Sequence, residues 1–320
     1  MDAAFMKARI ARKTVEATDI VGLELSPLEG TSFPAFSAGS HIDVEIRPGL
    51  VRQYSLCNDP TERHRYQIGV LRDPGSRGGS VAVHDELAEG QVIRIGAPRN
   101  HFALVPARRS LLFAGGIGVT PILCMAERLA QTGADFELHY CSRSPDRTAY
   151  RRRIAQSSFA ERVHFHFDDG DAVQRLDLPS VLGSVAADTH LYVCGPGGFI
   201  EYVTGNAKAR GWPAAQMHFE YFAGQAIDTS ADGSFEVMLA SSGRVLTVPA
   251  DRTVVAVLAE NGVEVPVSCE QGVCGTCLTR VLEGEIDHRD QFLLDDERAA
   301  NDQFTPCCSR AKSRRLVLDL

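Results

Sequence analysis

Five cysteines near the carboxyl-terminal end have spacings typical of an iron–sulfur site. Cys269, Cys274 and Cys277 form the pattern C-x4-C-x2-C, and two adjacent cysteines, Cys307 and Cys308, follow later in the chain. Three thiolates at this spacing with a distant fourth are the usual ligands of a plant-type 2Fe-2S cluster. Spacing alone does not distinguish Cys307 from Cys308 as the fourth ligand.

The loop that carries the first three cysteines also favours a cluster. Gly272 and Gly275 permit positive φ angles and a close approach of the backbone to inorganic sulfides. Zinc, the minor alternative, normally requires a second C-x2-C pair. The cysteines number nine, an odd count, and the sequence has no export signal. Metal ligation in a reducing compartment therefore explains them better than a disulfide framework, and we expect a cytoplasmic location.

Two short motifs in the first third of the chain could bind a flavin. In R-x-Y-S, which ends a β segment, alternation puts a guanidinium for phosphate and an aromatic ring for isoalloxazine on one face. The motif R-G-G-S precedes a helix-like segment and offers backbone N–H groups, a hydroxyl and a positive charge. Either motif alone is equally typical of an ordinary barrel strand or a tight turn. The residues are Arg52, Tyr54 and Ser55 in the first motif and Arg77, Gly78, Gly79 and Ser80 in the second.

Two glycine turns further along could bind a nicotinamide nucleotide. The first lies between a buried strand and a helix, where N–H groups and the positive helix end can face a pyrophosphate. The second follows another strand. Arg143 ends a third strand and is expected to reach the nucleotide. No side-chain acid or base is required for hydride transfer, so no catalytic residue is predicted. The turns comprise Gly115, Gly116, Gly118, Thr120 and Pro121, and then Cys194, Gly195 and Pro196.

Some polar residues in the same region receive no role from the sequence. Asp168, Asp169 and Asp171 are too far along the chain from a recognisable ribose motif to decide between NADH and NADPH. His164 and His166 alternate on one strand face, but without a nearby third ligand such histidines are usually packed or solvated.

The pattern of strands and helices that must position these motifs differs between successive parts of the 320-residue chain. Residues 1–104 contain short β segments separated by turn residues, which predicts a small antiparallel barrel. Residues 105–225 alternate strands and helices, which predicts a doubly wound parallel sheet. Residues 226–234 match no period and are interpreted as a linker. Residues 235–320 form a third predicted domain around the cysteine loop.

The charge distribution indicates which kinds of molecule the protein can bind. The net charge of −8 argues against nucleic acid. Residues 231–320 contain 15 Asp and Glu against 9 Lys and Arg, so the last segment carries most of the excess and suggests a partner attracted by charge. The longest apolar stretch, residues 111–126, is interrupted by glycines and a proline, and no membrane association is expected.

The segments SCEQGVCGTC, EGEIDHRDQFL and CCSRAKS resemble the ferredoxin domain at the carboxyl end of the phthalate dioxygenase reductase and vanillate O-demethylase reductase family. The resemblance covers nearly the whole chain. It implies a multidomain fold with an antiparallel β-barrel flavin domain, an α/β doubly wound nucleotide domain and an α+β β-grasp ferredoxin domain. It also implies FMN as the flavin and NADH as the coenzyme, although the residues themselves allow FAD or NADPH.

Roles for single residues follow from the same resemblance. It implies that Cys307 is the fourth cluster ligand, that the C-G-P turn lies beside the nicotinamide, and that Phe222, rather than Tyr221, lies near the flavin. The FMN contacts that it implies are Arg52, Tyr54, Ser55, Gly78, Gly79 and Ser80.

The implied activity is electron transfer from NADH through flavin and cluster to a separate oxygenase. A plant-type cluster has a potential of about −400 mV, whereas Rieske centres lie at about −150 to +300 mV, so transfer to a Rieske-type aromatic oxygenase or O-demethylase would be downhill. The alternatives are a reductase for a diiron or haem monooxygenase, and a redox-sensing electron-transfer protein.

Overall fold

The computed structural model describes residues 5–75, 78–224 and 227–320. It divides into two compact units, Met1–Phe222 and Ala223–Leu320. Arg77 of the second flavin motif and Ala226, the first residue of the predicted linker, lie outside the described residues. In the described part of the chain, no helix is both long enough and apolar enough to span a bilayer.

The first half of unit 1 is an antiparallel sheet of seven strands with the order β4-β3-β6-β1-β2-β5, in which β7 pairs with β3. A bridge between Leu56 and Ile68 joins the end of β4 to β5, so the two ends of the sheet meet as a barrel. The elements are β1 (Met6–Ala17), β2 (Ile20–Pro27), β3 (Ser40–Arg47), β4 (Leu50–Ser55), β5 (Tyr66–Leu71), α1 (Gly79–Glu86), β6 (Val92–Ile95) and β7 (Arg99–Asn100).

The second half of unit 1 is a five-stranded parallel sheet with the order β10-β9-β8-β11-β12. Its central strand is buried along almost its whole length, as expected for a sheet covered on both faces. Gly133, at φ 67°, ends α2. The elements are β8 (Arg109–Gly115), α2 (Val119–Thr132), β9 (Asp135–Ser142), α3 (Arg151–Ala155), β10 (Val163–Phe167), α4 (Leu178–Leu182), β11 (Thr189–Gly195), α5 (Gly197–Ala209) and β12 (Met217–Tyr221).

Unit 2 is a mixed sheet with the order β14-β13-β19-β15-β17, accompanied by a two-stranded ribbon of β16 and β18. The parallel pair of β13 and β19 lies at the centre of the sheet. The elements are β13 (Phe235–Leu239), β14 (Val245–Val248), α6 (Val254–Glu260), β15 (Thr279–Glu283), β16 (Ile286–Asp287), α7 (Asp295–Ala300), β17 (Gln303–Phe304), β18 (Arg310–Ala311) and β19 (Arg315–Leu318).

The apolar cores follow the two units. One buried cluster joins Ile20, Cys57 and Phe102 of the barrel region to residues of the parallel sheet and α2, such as Leu123 and Tyr140. Unit 2 has its own cluster, formed by its sheet and α6. The barrel and the parallel sheet therefore share buried side chains, whereas the carboxyl-terminal unit has an interior of its own.

Candidate redox site

The two flavin motifs meet at the amino-terminal end of α1. Gly78 adopts φ 86° immediately before the helix. A Cβ atom on Gly79 would lie 2.7 Å from both Cγ and Nε of Arg52, so Arg52 packs directly over this glycine. The structure thus brings a guanidinium next to a helix amino terminus, two features that attract phosphate.

The other end of α1 is held by Lys13 of β1. Its Nζ donates to the carbonyl oxygens of Val83, His84 and Leu87 at 3.1, 2.7 and 2.6 Å. These are carbonyls that a helix leaves without intrahelical partners. Lys13 therefore fixes the helix to the barrel, while the side chain of Ser80, near the other end, accepts from the backbone N–H of Asp73 at 3.1 Å.

Strand β4 connects the flavin motif to the last strand of the parallel sheet. Burial raises the pKa of the Tyr54 hydroxyl. The Ser55 hydroxyl donates to the carboxylate of Glu220 in β12, whereas Glu220 Oε2 is buried without a hydrogen-bond partner in the described chain. Desolvation raises the pKa of Glu220 to about 8, and the bond from Ser55 opposes this rise only in part. Glu220 is therefore mainly a neutral acid at pH 7.

Replacing Glu220 with glutamine is expected to stabilise the protein at alkaline pH. The folded-state pKa of Glu220 is raised, so its burial costs stability as pH rises from about 4.5 towards 8, and the cost is complete above 8. Glu220→Gln removes the charge and keeps an acceptor for Ser55. For a rise from 4.5 to about 8, the expected gain is on the order of 4 to 5 kcal/mol at pH 9 and below about 1 kcal/mol at pH 5. Urea unfolding at the two pH values measures it, and a pH-independent difference would contradict this account.

The two glycine turns of the nucleotide motif are in direct contact. A Cβ atom on Gly118 would lie 2.2 Å from the carbonyl oxygen of Cys194, and one on Gly195 would lie 2.9 Å from the Cα of Gly115. Because parallel strands β8 and β11 are neighbours, both turns leave the same edge of the sheet. The Cys194 thiol itself is buried in the core, so the turn presents mainly backbone groups there.

Residues at the start of α2 join the turn to the barrel. Thr120 and Pro121 are buried, and Gly116 adopts φ 53°. Thr120 Oγ1 donates to the carbonyl of Ile117 at 3.1 Å, while its methyl group would lie 2.9 Å from a Cβ atom on Gly69 in β5. The barrel and the nucleotide turn are therefore packed together at this point.

Arg143 lies beside acidic residues that the sequence did not connect with it. The backbone N–H of Asp168 donates to Ser142 at 3.1 Å, and that of Asp169 donates to Arg143 at 3.1 Å. These residues follow the carboxyl ends of neighbouring strands β9 and β10, the edge where such sheets bind nucleotides. The pairing register of two strands, which is not visible in the sequence, creates this proximity.

The last residues of unit 1 and the strand histidines complete the predicted set. Phe222 is 38% exposed, and Tyr221 packs edge-on against Phe219 at 5.7 Å. His164 and His166 both stack on His139. The two strand histidines therefore share the His139 ring as their neighbour.

In unit 2, the thiols of the cysteine motif face one another. The thiol of Cys269 lies next to those of Cys274 and Cys307, and the thiol of Cys277 lies next to that of Cys307. The thiol of Cys308 also neighbours that of Cys307 and lies 3.2 Å from the Thr305 hydroxyl. All nine cysteines are free of disulfide bonds. The loop and the later segment are thus brought together, with Cys307 contacting two of the first three cysteines.

The two glycines of this loop occupy positions that a larger residue could not adopt without a clash. Gly272 adopts φ 72° and Gly275 φ 65°. A Cβ atom on Gly272 would lie 2.4 Å from Cys308 Sγ, and one on Gly275 would lie 2.2 Å from the ring of Phe292. The donor chemistry and this glycine-lined loop fit a 2Fe-2S cluster. Within the described ranges, no three His, Cys, Asp or Glu side chains have the arrangement of a single-ion metal site, so the ligand assignment stays a prediction.

Comparisons with known proteins agree with this organisation. Residues 237–312 match the family model of the 2Fe-2S iron–sulfur cluster binding domain. Residues 98–217 match the amino-terminal domain of the dimethylamine monooxygenase subunit DmmA-like family. The vanillate O-demethylase oxidoreductase of Pseudomonas putida is 56% identical over 98% of this chain and 99% of its own length.

Comparison with solved structures also finds proteins with a similar fold over nearly the whole of this chain. Phthalate dioxygenase reductase, described as a modular structure for electron transfer from pyridine nucleotides to [2Fe-2S], is 40% identical with a TM-score of 0.77, covering 99% of this chain and 98% of that one. An intact type IV self-sufficient cytochrome P450 monooxygenase is 40% identical with a TM-score of 0.86; the match covers 99% of this chain and 41% of that one. The predicted barrel, parallel-sheet and ferredoxin architecture is confirmed, and the chain belongs to the vanillate O-demethylase oxidoreductase and phthalate dioxygenase reductase family.

Proposed function

We propose that this protein is an NADH-dependent iron–sulfur flavoprotein reductase that delivers single electrons to an oxygenase component. The observation that carries the proposal is that the two flavin motifs contact each other, as do the two glycine turns, all within unit 1. Arg52 packs over Gly79, Ser55 donates to Glu220, and the glycine turns contact each other at the same edge of the parallel sheet. A cysteine loop with the matched 2Fe-2S family sequence follows in the same chain.

The residues of unit 1 would bind and orient two ligands. Arg52, the N–H groups at Gly78 and Gly79, and Ser80 would hold the phosphate of FMN, with Tyr54, Ser55 and Phe222 near its ring. The turns at Gly115–Gly118 and Cys194–Pro196 would hold the pyrophosphate and the nicotinamide. When bound, the flavin supplies the change from two-electron hydride transfer to single-electron transfer. Glu220, held neutral next to Ser55, would keep charge out of this region.

The residues of unit 2 would hold the electron carrier. We assign Cys269, Cys274, Cys277 and Cys307 as its ligands, because family similarity and the contacts of Cys307 with two of the other thiols favour this set. Gly272 and Gly275 would allow the loop to curve around the cluster.

The acceptor is an oxygenase component, and we propose that it is of the Rieske type and acts on an aromatic substrate. Support comes from the 56% identity to a vanillate O-demethylase oxidoreductase and from the downhill potential difference noted above. The similarity to a self-sufficient cytochrome P450 monooxygenase favours the second candidate, a haem acceptor. Reconstitution with the purified cognate oxygenase, whose iron centre is identified by electron paramagnetic resonance, separates the two. A cytoplasmic location stays a prediction.

The proposed reductase activity is tested by the visible spectrum of the purified protein before and after anaerobic addition of NADH, together with iron and flavin assays. We expect flavin and iron–sulfur absorption, and bleaching of both on addition of NADH. Rapid reduction of cytochrome c would distinguish a reductase from a redox sensor. A preparation without either chromophore would contradict the proposal.

The coenzyme choice gives a further prediction. The backbone N–H groups of Asp168 and Asp169 pair with Ser142 and Arg143, which places these two acidic residues at the edge where such sheets bind nucleotides. Their charges would repel the 2′-phosphate of NADPH where NADH carries a hydroxyl. The double variant Asp168→Asn/Asp169→Asn is expected to lower the NADH to NADPH ratio of kcat/KM by about tenfold or more. Asp135→Asn, at the opposite end of β9, is the matched control. A ratio equal to that of the control would exclude this role.

A further inference from the structure

Asp290 in unit 2 is a carboxylate without exposed surface. Its side chain is 0% exposed. Oδ2 accepts the backbone N–H groups of Phe292 at 3.1 Å and Leu293 at 2.7 Å, and Oδ1 accepts the hydroxyl of Ser309 at 3.5 Å. A guanidinium nitrogen of Arg298 lies 3.8 Å from Oδ2. A buried charge is costly unless such groups compensate for it, so the segment around Asp290 is held in one conformation.

This segment, residues 288–293, covers the cysteine loop at both of its constrained glycines. The backbone N–H of Gln291 donates to the carbonyl of Gly272 at 2.9 Å. A Cβ atom on Gly272 would lie 3.0 Å from the Cα of Asp290, and the Phe292 ring occupies the space beside Gly275. The conformation that Asp290 fixes is therefore the one that contacts the loop.

Asp290 is also connected to the segment that contains Cys307. Ser309, which donates to Asp290, accepts the backbone N–H of Arg289 at 3.1 Å. The Thr305 hydroxyl lies 3.2 Å from the Ser309 hydroxyl and 3.2 Å from Cys308 Sγ. A continuous set of polar contacts thus runs from the carboxylate to both sides of Cys307. Asp290 is the point at which the segment covering the loop and the cysteine-bearing segment are joined.

We propose that Asp290 is a positioning residue for the iron–sulfur cluster, which fixes the cysteine loop against the Cys307 segment and lowers the cluster's reduction potential through its buried negative charge. The inference rests on the proposed function, because it assumes that the four cysteines hold a cluster. Potentials of such clusters depend on nearby charge, hydrogen bonding and solvent exposure. Asp290 places a buried charge beside the cysteine loop, and its hydrogen bonds fix the segment that covers that loop.

Two variants of the full-length holoprotein separate charge from positioning. Asp290→Asn keeps the size of the side chain and one acceptor oxygen but removes the charge. Asp290→Ala removes the acceptors as well. The matched control is Asp302→Asn, which makes the same substitution at an exposed residue of the same unit. The readouts are the cluster potential from a spectroelectrochemical titration, the electron paramagnetic resonance spectrum of the reduced cluster, and the rate of iron release to a chelator.

We expect Asp290→Asn to raise the potential and alter the resonance spectrum, and Asp290→Ala to release iron at least threefold faster than the parent protein. Asp302→Asn should match the parent, and flavin reduction by NADH should be the same in all four proteins. A potential for Asp290→Asn equal to that of Asp302→Asn overturns the electrostatic role, and an unchanged rate of iron release from Asp290→Ala overturns the positioning role. If Asp290→Ala does not fold, Asp290→Asn decides both roles: its potential tests the electrostatic role, and a resonance spectrum equal to that of Asp302→Asn overturns the positioning role. A parent protein without iron would instead contradict the proposed function.

Discussion

Cys307→Ser is expected to lose most of the iron and its visible absorption, whereas Cys308→Ser keeps both. Cys307 forms thiol contacts with Cys269 and Cys277, as the fourth ligand should. Cys308 instead lies beside Thr305 and fills the space next to Gly272. A serine at position 308 can make the same hydrogen bond and is slightly smaller, so the loop should keep its conformation.

The activities of the two variants should differ in the same way. In Cys307→Ser, we expect NADH to reduce the flavin at the parent rate, because all the residues that we propose as flavin and nucleotide contacts lie in unit 1. Electron delivery to the oxygenase should fall by about two orders of magnitude or more, since the single-electron carrier is missing. Iron analysis, the visible spectrum and coupled oxygenase turnover measure these outcomes. Iron loss from Cys308→Ser with retention in Cys307→Ser would reverse the ligand assignment.

Gly118→Ala is the second change with a large expected effect. The added methyl group would lie 2.2 Å from the carbonyl oxygen of Cys194 and 2.6 Å from the backbone nitrogen of Gly195. Both obstacles are backbone atoms of a neighbouring buried strand and cannot rotate away. We expect a loss of unfolding free energy of roughly 3 kcal/mol and an increase of about tenfold or more in KM for NADH, because the two turns must separate.

Gly198→Ala is the control for this substitution. Gly198 lies in the first turn of α5, directly after the second glycine turn, and nothing is within 4 Å of its added Cβ atom. Alanine also favours a helix by up to about 1 kcal/mol relative to glycine, so stability should stay equal or increase. Chemical denaturation and steady-state kinetics on both variants provide the comparison. A harmless Gly118→Ala would show that the turns are not tightly packed in solution.

The sequence allowed much of the secondary structure to be predicted because local patterns determine it. The apolar run of β8, the glycine at the end of α2 and the alternation in β1 are visible in a single sequence. The cysteine spacing likewise identifies the loop without knowledge of the fold. These features depend only on residues close by in the sequence, so they can be predicted without knowledge of the fold.

Features that depend on packing between distant segments could not be predicted. The proximity of Asp169 to Arg143 follows from the register of β9 and β10. Glu220 meets Ser55, which lies in the barrel far away in the sequence. Asp290 is buried among partners from its own segment, Arg298 and Ser309. Nothing in the spacing of these carboxylates distinguishes them from exposed ones. A polar residue next to a recognised motif, such as Glu220 in HFEYF, is the only signal that could have singled one out.

The distribution of buried side chains has a consequence for how such a chain can change during evolution. Since the carboxyl-terminal unit has its own buried apolar cluster, recombination near residue 223 could exchange it for another electron-carrying module and leave each buried cluster of unit 1 within one piece of chain. A crossover near residue 104 would cut through a shared interior and would require compensating substitutions on both sides. Fusion, loss or replacement of modules should therefore occur more readily at the first position than at the second.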